Sequence, residues 1–281
     1  METVAIVGVG LIGGSFGLAL KQAGFRGTIL GVSSERALRA GIERGAIDRG
    51  ASLEEAAGAS DLIYLAQPIG RILDTLNHVD PLVRPEALIT DAGSTKHAIV
   101  TKARKMVRNC QFLGGHPLAG KEKRGAREAD ADLFRGRTYV LTPGAPEELE
   151  TAAAREFVEW LGRIGAKTVV LGAAEHDRVV SFTSHLAQLA STALAATVAE
   201  NLTALEDLQV AGPGLLDSTR LALSAYELWR DILATNTDSI EQALTAYINK
   251  LEYLRENLRT RAMQEEFVRA AELAGRLRRA I

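Results

Sequence analysis

The chain opens with a short β-branched run, Thr3–Val7, then changes character at Gly8-Val9-Gly10-Leu11-Ile12-Gly13-Gly14-Ser15, before an apolar stretch from Phe16 to Leu20. A brief apolar run bounded by glycine reads as a buried strand, and the stretch beyond Ser15 reads as a helix. The alternation then repeats. Strands are predicted at Thr28–Val32, Leu62–Ala66, Ala87–Thr90, Phe112–Leu113, Thr138–Thr142 and Lys167–Leu171. Helices are predicted around Glu35–Arg44, at Leu53–Ala59 and, after the turn Pro143–Pro146, up to Gly162. Strands alternating with helices give an α/β fold: a doubly wound, mostly parallel sheet covered on both faces. Ligands of such sheets bind outside the carboxyl ends of the strands.

Beyond Gly172 no strand pattern remains, and the chain reads as helices apart from a break at Ala211-Gly212-Pro213-Gly214. From Ser184 to Ala199 leucine and alanine recur nearly all round, which predicts a helix buried on every side. From Ile240 a helical stripe runs through Ala243, Leu244, Tyr247, Ile248, Leu251, Leu254 and Leu258. The segment Arg255–Arg279 reads as one charged amphipathic helix. Two domains are therefore expected: a dinucleotide-binding domain over residues 1–172 and an all-α substrate and dimerisation domain over residues 173–281. The apolar surface of the second domain predicts a homodimer.

Composition narrows the classes. The 281 residues carry a formal net charge of -2, so no basic surplus exists to neutralise nucleic-acid phosphates. One cysteine, Cys110, excludes a disulfide framework and a cysteine-based metal site. No apolar run is long enough to cross a membrane and no basic leader precedes the first strand, so a cytoplasmic protein is expected. No metal-ligand constellation is visible, and no nucleophile elbow marks a hydrolase.

The first turn carries chemistry. Gly8 permits a tight turn, Gly10 lets backbone approach a pyrophosphate, and Gly13 lets the helix pack on the strand. The helix N-terminus at Leu11 and Ile12 offers unpaired N–H groups to phosphate. This predicts a nicotinamide dinucleotide site. In NAD-binding domains an acid at the end of the second strand accepts bonds from the ribose hydroxyls. Here Ser33, Ser34 and Arg36 stand there instead, with Glu35 two residues late. That set suits the 2′-phosphate of NADP better than NAD, although Arg36 also reads as a solvated helix residue.

Gln67 and Pro68, Ser94 and His116 each follow a strand end. His116, between glycines and a proline, can accept a proton from a substrate hydroxyl when neutral. His78 and His97 read as solvated, and His176 as a capping or orienting residue. His185 reads equally as a satisfied core group or as facing a cleft. Arg220, beside the helix break, suits a carboxylate in bidentate fashion or a surface ion pair. Trp229 alone reads as core.

Taken together the motifs resemble the prephenate/arogenate dehydrogenase family of tyrosine biosynthesis. The matching pieces are Gly8-x-Gly10-x-x-Gly13-Gly14-Ser15, Asp91-x-x-Ser94-x-Lys96, Gly114-Gly115-His116-Pro117 with Gly120 and Glu122, Ser184-His185-Leu186, Asp217-x-Thr219-Arg220 and Leu228-Trp229 with Ile232. The resemblance implies a Rossmann domain, a helical dimerisation domain and an active site between them. It implies that His116 takes the proton of the ring C4 hydroxyl, that Ser94 hydrogen-bonds the same region and that Arg220 holds a substrate carboxylate. His185, Glu122, Trp229 and Asp217 would line or gate the pocket. The implied substrate is prephenate, or alternatively arogenate. Three positions depart from the family: Ala187 where proline is usual, Gln67 before Pro68, and Ser33 in place of the acid. Two competing readings are another Rossmann dehydrogenase with a helical domain, and a nucleotide-sensing protein without catalysis. Neither accounts for Ser94, His116, His185 and Arg220 in one chain.

Overall fold

The structure, a computed structural model, describes residues 1–121, 123–202 and 204–280. Strand β1 (Thr3–Val7) leads into helix α1 (Leu11–Gln22), and β2 (Thr28–Val32) into α2 (Glu35–Glu43). A two-residue strand, β3 (Arg49–Gly50), precedes α3 (Leu53–Ala59); it is too short for periodicity to predict. Then come β4 (Leu62–Leu65), α4 (Ile69–Thr75), β5 (Leu88–Asp91), α5 (His97–Met106), β6 (Gln111–Pro117) and β7 (Thr138–Thr142). A 3₁₀ turn at Pro146–Glu150 replaces the first turn of the expected helix, and α6 (Ala152–Arg163) and β8 (Lys167–Val170) follow.

The sheet order is β3-β2-β1-β4-β5-β6-β7-β8, parallel throughout except between β6 and β7. The order reverses direction between β1 and β4, and a crevice opens at their carboxyl ends at such a switch point. Strands β1, β4 and β5 lie in the middle, and every residue of β4 and β5 is buried. Two apolar clusters cover the two faces. One joins Ile6, Phe16, Tyr64, Leu113, Tyr139 and Phe157, with the Phe16 and Tyr64 rings stacked 4.0 Å apart. The other joins Val7, Leu65, Ile89 and Ile99 and runs on to Ile232 and Ile240, beyond the sheet.

The remainder is helical: α7 (Ala173–Val180), a π turn (Ser181–His185), α8 (Leu186–Asn201), α9 (Leu205–Leu208), α10 (Pro213–Thr219), a 3₁₀ turn (Arg220–Leu223), α11 (Tyr226–Thr235), α12 (Thr237–Glu256) and α13 (Ala262–Ala280). Two expectations are corrected here. The stretch Arg255–Arg279 is not one helix but ends α12 and re-forms as α13. Helix α8 is not buried on every side: only Gln188 and Ser191 are buried, and both are polar. An all-round apolar composition demands cover, and within one chain α8 has none on most of its circumference. No helix among the described residues is long and apolar enough to cross a membrane.

Candidate active site

The site is built where β1 and β4 end. Gly8 has φ +103°, and a Cβ there would stand 2.6 Å from the Ala66 carbonyl oxygen, so only glycine makes this turn. A Cβ on Gly13 would stand 2.2 Å from the Gly8 oxygen. Gly10, by contrast, faces open space. It caps α1 with no side-chain bond, and no acid occupies the first turn. Free N–H groups, a positive helix end and an open approach over Gly10 are what a pyrophosphate needs. The residues therefore fit a dinucleotide.

Two adjoining cavities extend from this turn. A groove of about 1030 Å³ is lined by Gly8, Gly10, Ser33, Ser34, Arg36, Gln67 and Pro68. Arg39, Arg71, Arg124 and Arg127 also line it, which makes its wall cationic, while Glu35 and Glu43 are its acids. The Ser34 hydroxyl accepts from the Ala37 N–H and caps α2, so Ser33 and Arg36 are the side chains at this end not engaged in a cap. A second cavity of about 450 Å³ is lined by Leu11, Ile12, Gln67, Pro68, Ser94 and, from the helical half, Leu228, Asp231 and Ile232. Ala66, Gln67 and Pro68, with Arg124 and Gly125, line both. The Gln67 side-chain oxygen accepts from the Thr75 hydroxyl at 2.8 Å, which steadies the amide.

Three side chains of the helical half, Asp231, Thr235 and Asp177, bond to the region beyond the strand ends. The Asp231 carboxylate accepts the Gly70 N–H at 2.9 Å, and that bond, with Arg230, lowers its pKa. The Thr95 and Thr235 hydroxyls meet at 2.7 Å. Asp177 accepts the Lys96 and His97 N–H groups at 2.7 and 2.9 Å.

Beside the second cavity lies a buried polar cluster. Lys96 is wholly buried, paired with Asp91 and donating to the Gly115 carbonyl at 2.7 Å. Burial lowers the Lys96 pKa while Asp91 opposes the shift. His116 does not follow a strand end as expected but lies within β6, opposite Val140 of β7. The expected strand stops at Leu113; here the glycines continue it and pack, since a Cβ on Gly115 would meet the Asp91 carbonyl oxygen at 2.7 Å. The His116 Nδ1 is 2.8 Å from His176 Nε2, and His176 Nδ1 is 2.7 Å from the Asp177 carboxylate. Burial first, then His176, Lys96 and His185, hold the His116 pKa well below its usual value.

His185 sits on the π turn, edge-on to Trp229 at 5.8 Å, and burial lowers its pKa to about 4. Arg220 and Asp217 are exposed on the turn and helix beyond, and neither lines the cavities with Ser94. The two buried polar groups of α8 hold the Arg220 turn: Gln188 donates to the Leu221 carbonyl at 2.8 Å, and the Ser191 hydroxyl accepts the Ala222 N–H at 3.2 Å. Glu122 lies outside the described residues. Sequence reading gave His176 only a capping or orienting part and omitted Asp177 and Asn236. Their signal was faint, a Glu-His-Asp run at a helix start, because the partners they serve are distant in sequence.

Two family models match. One, described as "Prephenate dehydrogenase, nucleotide-binding domain", covers residues 16–170, and the other, "Prephenate dehydrogenase, dimerization domain", covers residues 172–272. A prephenate dehydrogenase of Bacillus subtilis is 34% identical over 263 residues, 90% of this chain and 69% of that protein. The crystal structure of prephenate dehydrogenase from A. aeolicus in complex with hydroxyphenyl propionate and NAD+ superposes with a TM-score of 0.86, 29% identity, and coverage of 99% of this chain and 97% of that one. Synechocystis arogenate dehydrogenase superposes with a TM-score of 0.81 at 28% identity, covering 99% of this chain and 100% of that one.

Proposed function

The chain belongs to the prephenate dehydrogenase family, and from that premise we propose that it oxidises and decarboxylates prephenate to 4-hydroxyphenylpyruvate in tyrosine biosynthesis. The observation that carries this reading is the pair of cavities sharing Gln67 and Pro68, one suited to a dinucleotide and one lined by Ser94, two residues before Lys96, whose N–H anchors the buried Asp177–His176–His116 chain. The likeness to an arogenate dehydrogenase keeps arogenate as the second reading.

The nicotinamide cofactor, when bound, accepts the hydride that leaves ring C4. Gly8, Gly10, Leu11, Ile12 and Gly13 would hold its pyrophosphate, and Gln67, Pro68 and Ser94 would border its reactive end. His116, held neutral by its surroundings, takes the proton of the C4 hydroxyl as C4 becomes a carbonyl carbon. The electron pair of the bond to the ring carboxylate then flows into the ring, CO2 leaves, and the ring becomes aromatic. Ser94 hydrogen-bonds the hydroxyl and orients it. We assign Arg220 to a substrate carboxylate, on the turn that α8 holds in place, with His185, Trp229 and Asp217 as further substrate-side residues.

The cofactor reading leans to NADP. Ser33 stands where an acid would accept ribose hydroxyls, and Arg36, Arg39 and Arg71 line the same groove to meet a 2′-phosphate. We further propose a homodimer through the helical half, a domain boundary at 172/173, and a cytoplasmic setting that suits a chain with one cysteine.

One assay tests the reading. Absorbance at 340 nm is followed on mixing protein with prephenate or arogenate and either oxidised cofactor. Turnover of prephenate with higher kcat/KM for NADP is expected. No turnover of either substrate would overturn the function, and a clear NAD preference would assign the adenosine end to Glu35 instead.

A further inference from the structure

Asp177 lines neither of the two cavities, yet the buried His116 and His185 both trace back to it. Its carboxylate accepts two backbone N–H groups, from Lys96 at 2.7 Å and His97 at 2.9 Å, donors whose direction is fixed. Toward His176 it therefore acts as an acceptor too, and His176 Nδ1, 2.7 Å away, carries the hydrogen. With one proton on that ring, His176 Nε2 is bare and must accept. The atom 2.8 Å from it is His116 Nδ1, which then carries the hydrogen, leaving His116 Nε2 as a lone pair.

The backbone of Asp177 does the reverse to His185. Its carbonyl oxygen can only accept, so the Asn236 group 2.8 Å from it is the amide nitrogen, not the oxygen. That same nitrogen stands 3.3 Å from His185 Nδ1, which must accept and so leaves the hydrogen on Nε2. Asn236, His176 and His185 are all buried, so water does not compete for these choices.

We propose that Asp177 is a positioning residue that sets opposite tautomers on two site histidines: through His176 it makes His116 an Nε2 acceptor, and through Asn236 it makes His185 an Nε2–H donor. This rests on the reading of His116 as the proton acceptor, which it deepens. One imidazole is then prepared to receive the proton of an alcohol, and the other to donate to an anionic oxygen of the same substrate. Neither ring can exchange roles by rotating its proton, because each role is held by a group that cannot reverse. Lys96, whose ammonium also acts on His116, shares the Asp177 contact through its backbone and so belongs to the same assembly.

The direct test is a two-bond ¹H–¹⁵N correlation spectrum of the full chain labelled with ¹⁵N-histidine at pH 7. Nδ1–H on His116 and Nε2–H on His185 are expected. The opposite tautomer on either ring overturns the proposal whatever the activity. Kinetics supply the second reading. His176→Leu removes the acceptor and should lower kcat about 100-fold, the low end of what general-base catalysis supplies. His176→Gln, which keeps an acceptor toward His116 and a donor toward Asp177, should recover at least about tenfold of that, with cofactor KM unchanged in both. Equal losses in the two variants would overturn the proposal. His116→Asn separates the failures: full turnover there, with the tautomers as expected, would sink the base reading while leaving the relay in place.

Discussion

Strand β4 and helix α8 are both rich in apolar residues, and they meet opposite fates. All four residues of β4 are buried, between helices that the same chain supplies on each face. Helix α8 buries only Gln188 and Ser191, while Leu194 and, just past its end, Leu202 are exposed. The exposed apolar positions continue on α12 at Ile248 and Leu251 and on α13 at Phe267 and Leu273. The sheet half completes its core within this chain, joined by Ile232 and Ile240 of the helical half; helix α8 uses its inward face for polar bonds and leaves its apolar face for something else. Hydrophobicity reports that a segment wants cover, and it does not report which chain supplies the cover.

The comparison can be strained first where the sheet half is most committed. His116→Asn should lower kcat by about two to four orders of magnitude, with far less change in substrate KM. For the wild type, activity should persist well below pH 6.5 and fall only at more acid pH, because the His116 pKa is held low. Turnover near normal in the variant would remove His116 from the chemistry.

The next largest effect concerns stability. Asp91→Asn leaves the buried Lys96 without its partner and should cost about 3–5 kcal/mol in denaturant unfolding. Lys250→Ala, which breaks the partly exposed pair with Glu266 in the helical half, should cost less than about 1 kcal/mol. Similar losses for the two would erase the contrast between the halves.

The smallest effect tests the cover itself. Light scattering at micromolar concentration should show a dimer, and Leu194→Glu should shift it toward monomer with little change in the fold by circular dichroism. A wild-type monomer would leave the face of α8 without the occupant proposed for it.

Much of this was legible in sequence because local rules govern it. Gly8, Gly10 and Gly13 mark the turn by steric need, and Gln67 and Ser94 stand just past strands whose apolar runs are unmistakable. The rest depends on contacts between distant residues. The apolar run ends at Leu113, yet β6 continues through His116, with Thr142 so close to Gly114 and Asp91 and Tyr139 so close to Gly115 that a side chain at either would clash. His176 reaches its partner from 60 residues away, a pairing that no periodicity encodes. Arg220 was placed by its motif, but its exposure within one chain could not be read from composition.

The ties from Asp231 to Gly70, from Thr235 to Thr95 and from Asp177 to Lys96 and His97 join the halves at the base of the crevice, and Ile232 and Ile240 share the sheet's core cluster. Calorimetrically this makes the boundary proposed at residue 172 invisible. Heat should melt sheet and helices together in a single endotherm, with calorimetric and van't Hoff enthalpies in agreement once dissociation is included. Two resolved endotherms would mean that the halves are neighbours and not one cooperative unit.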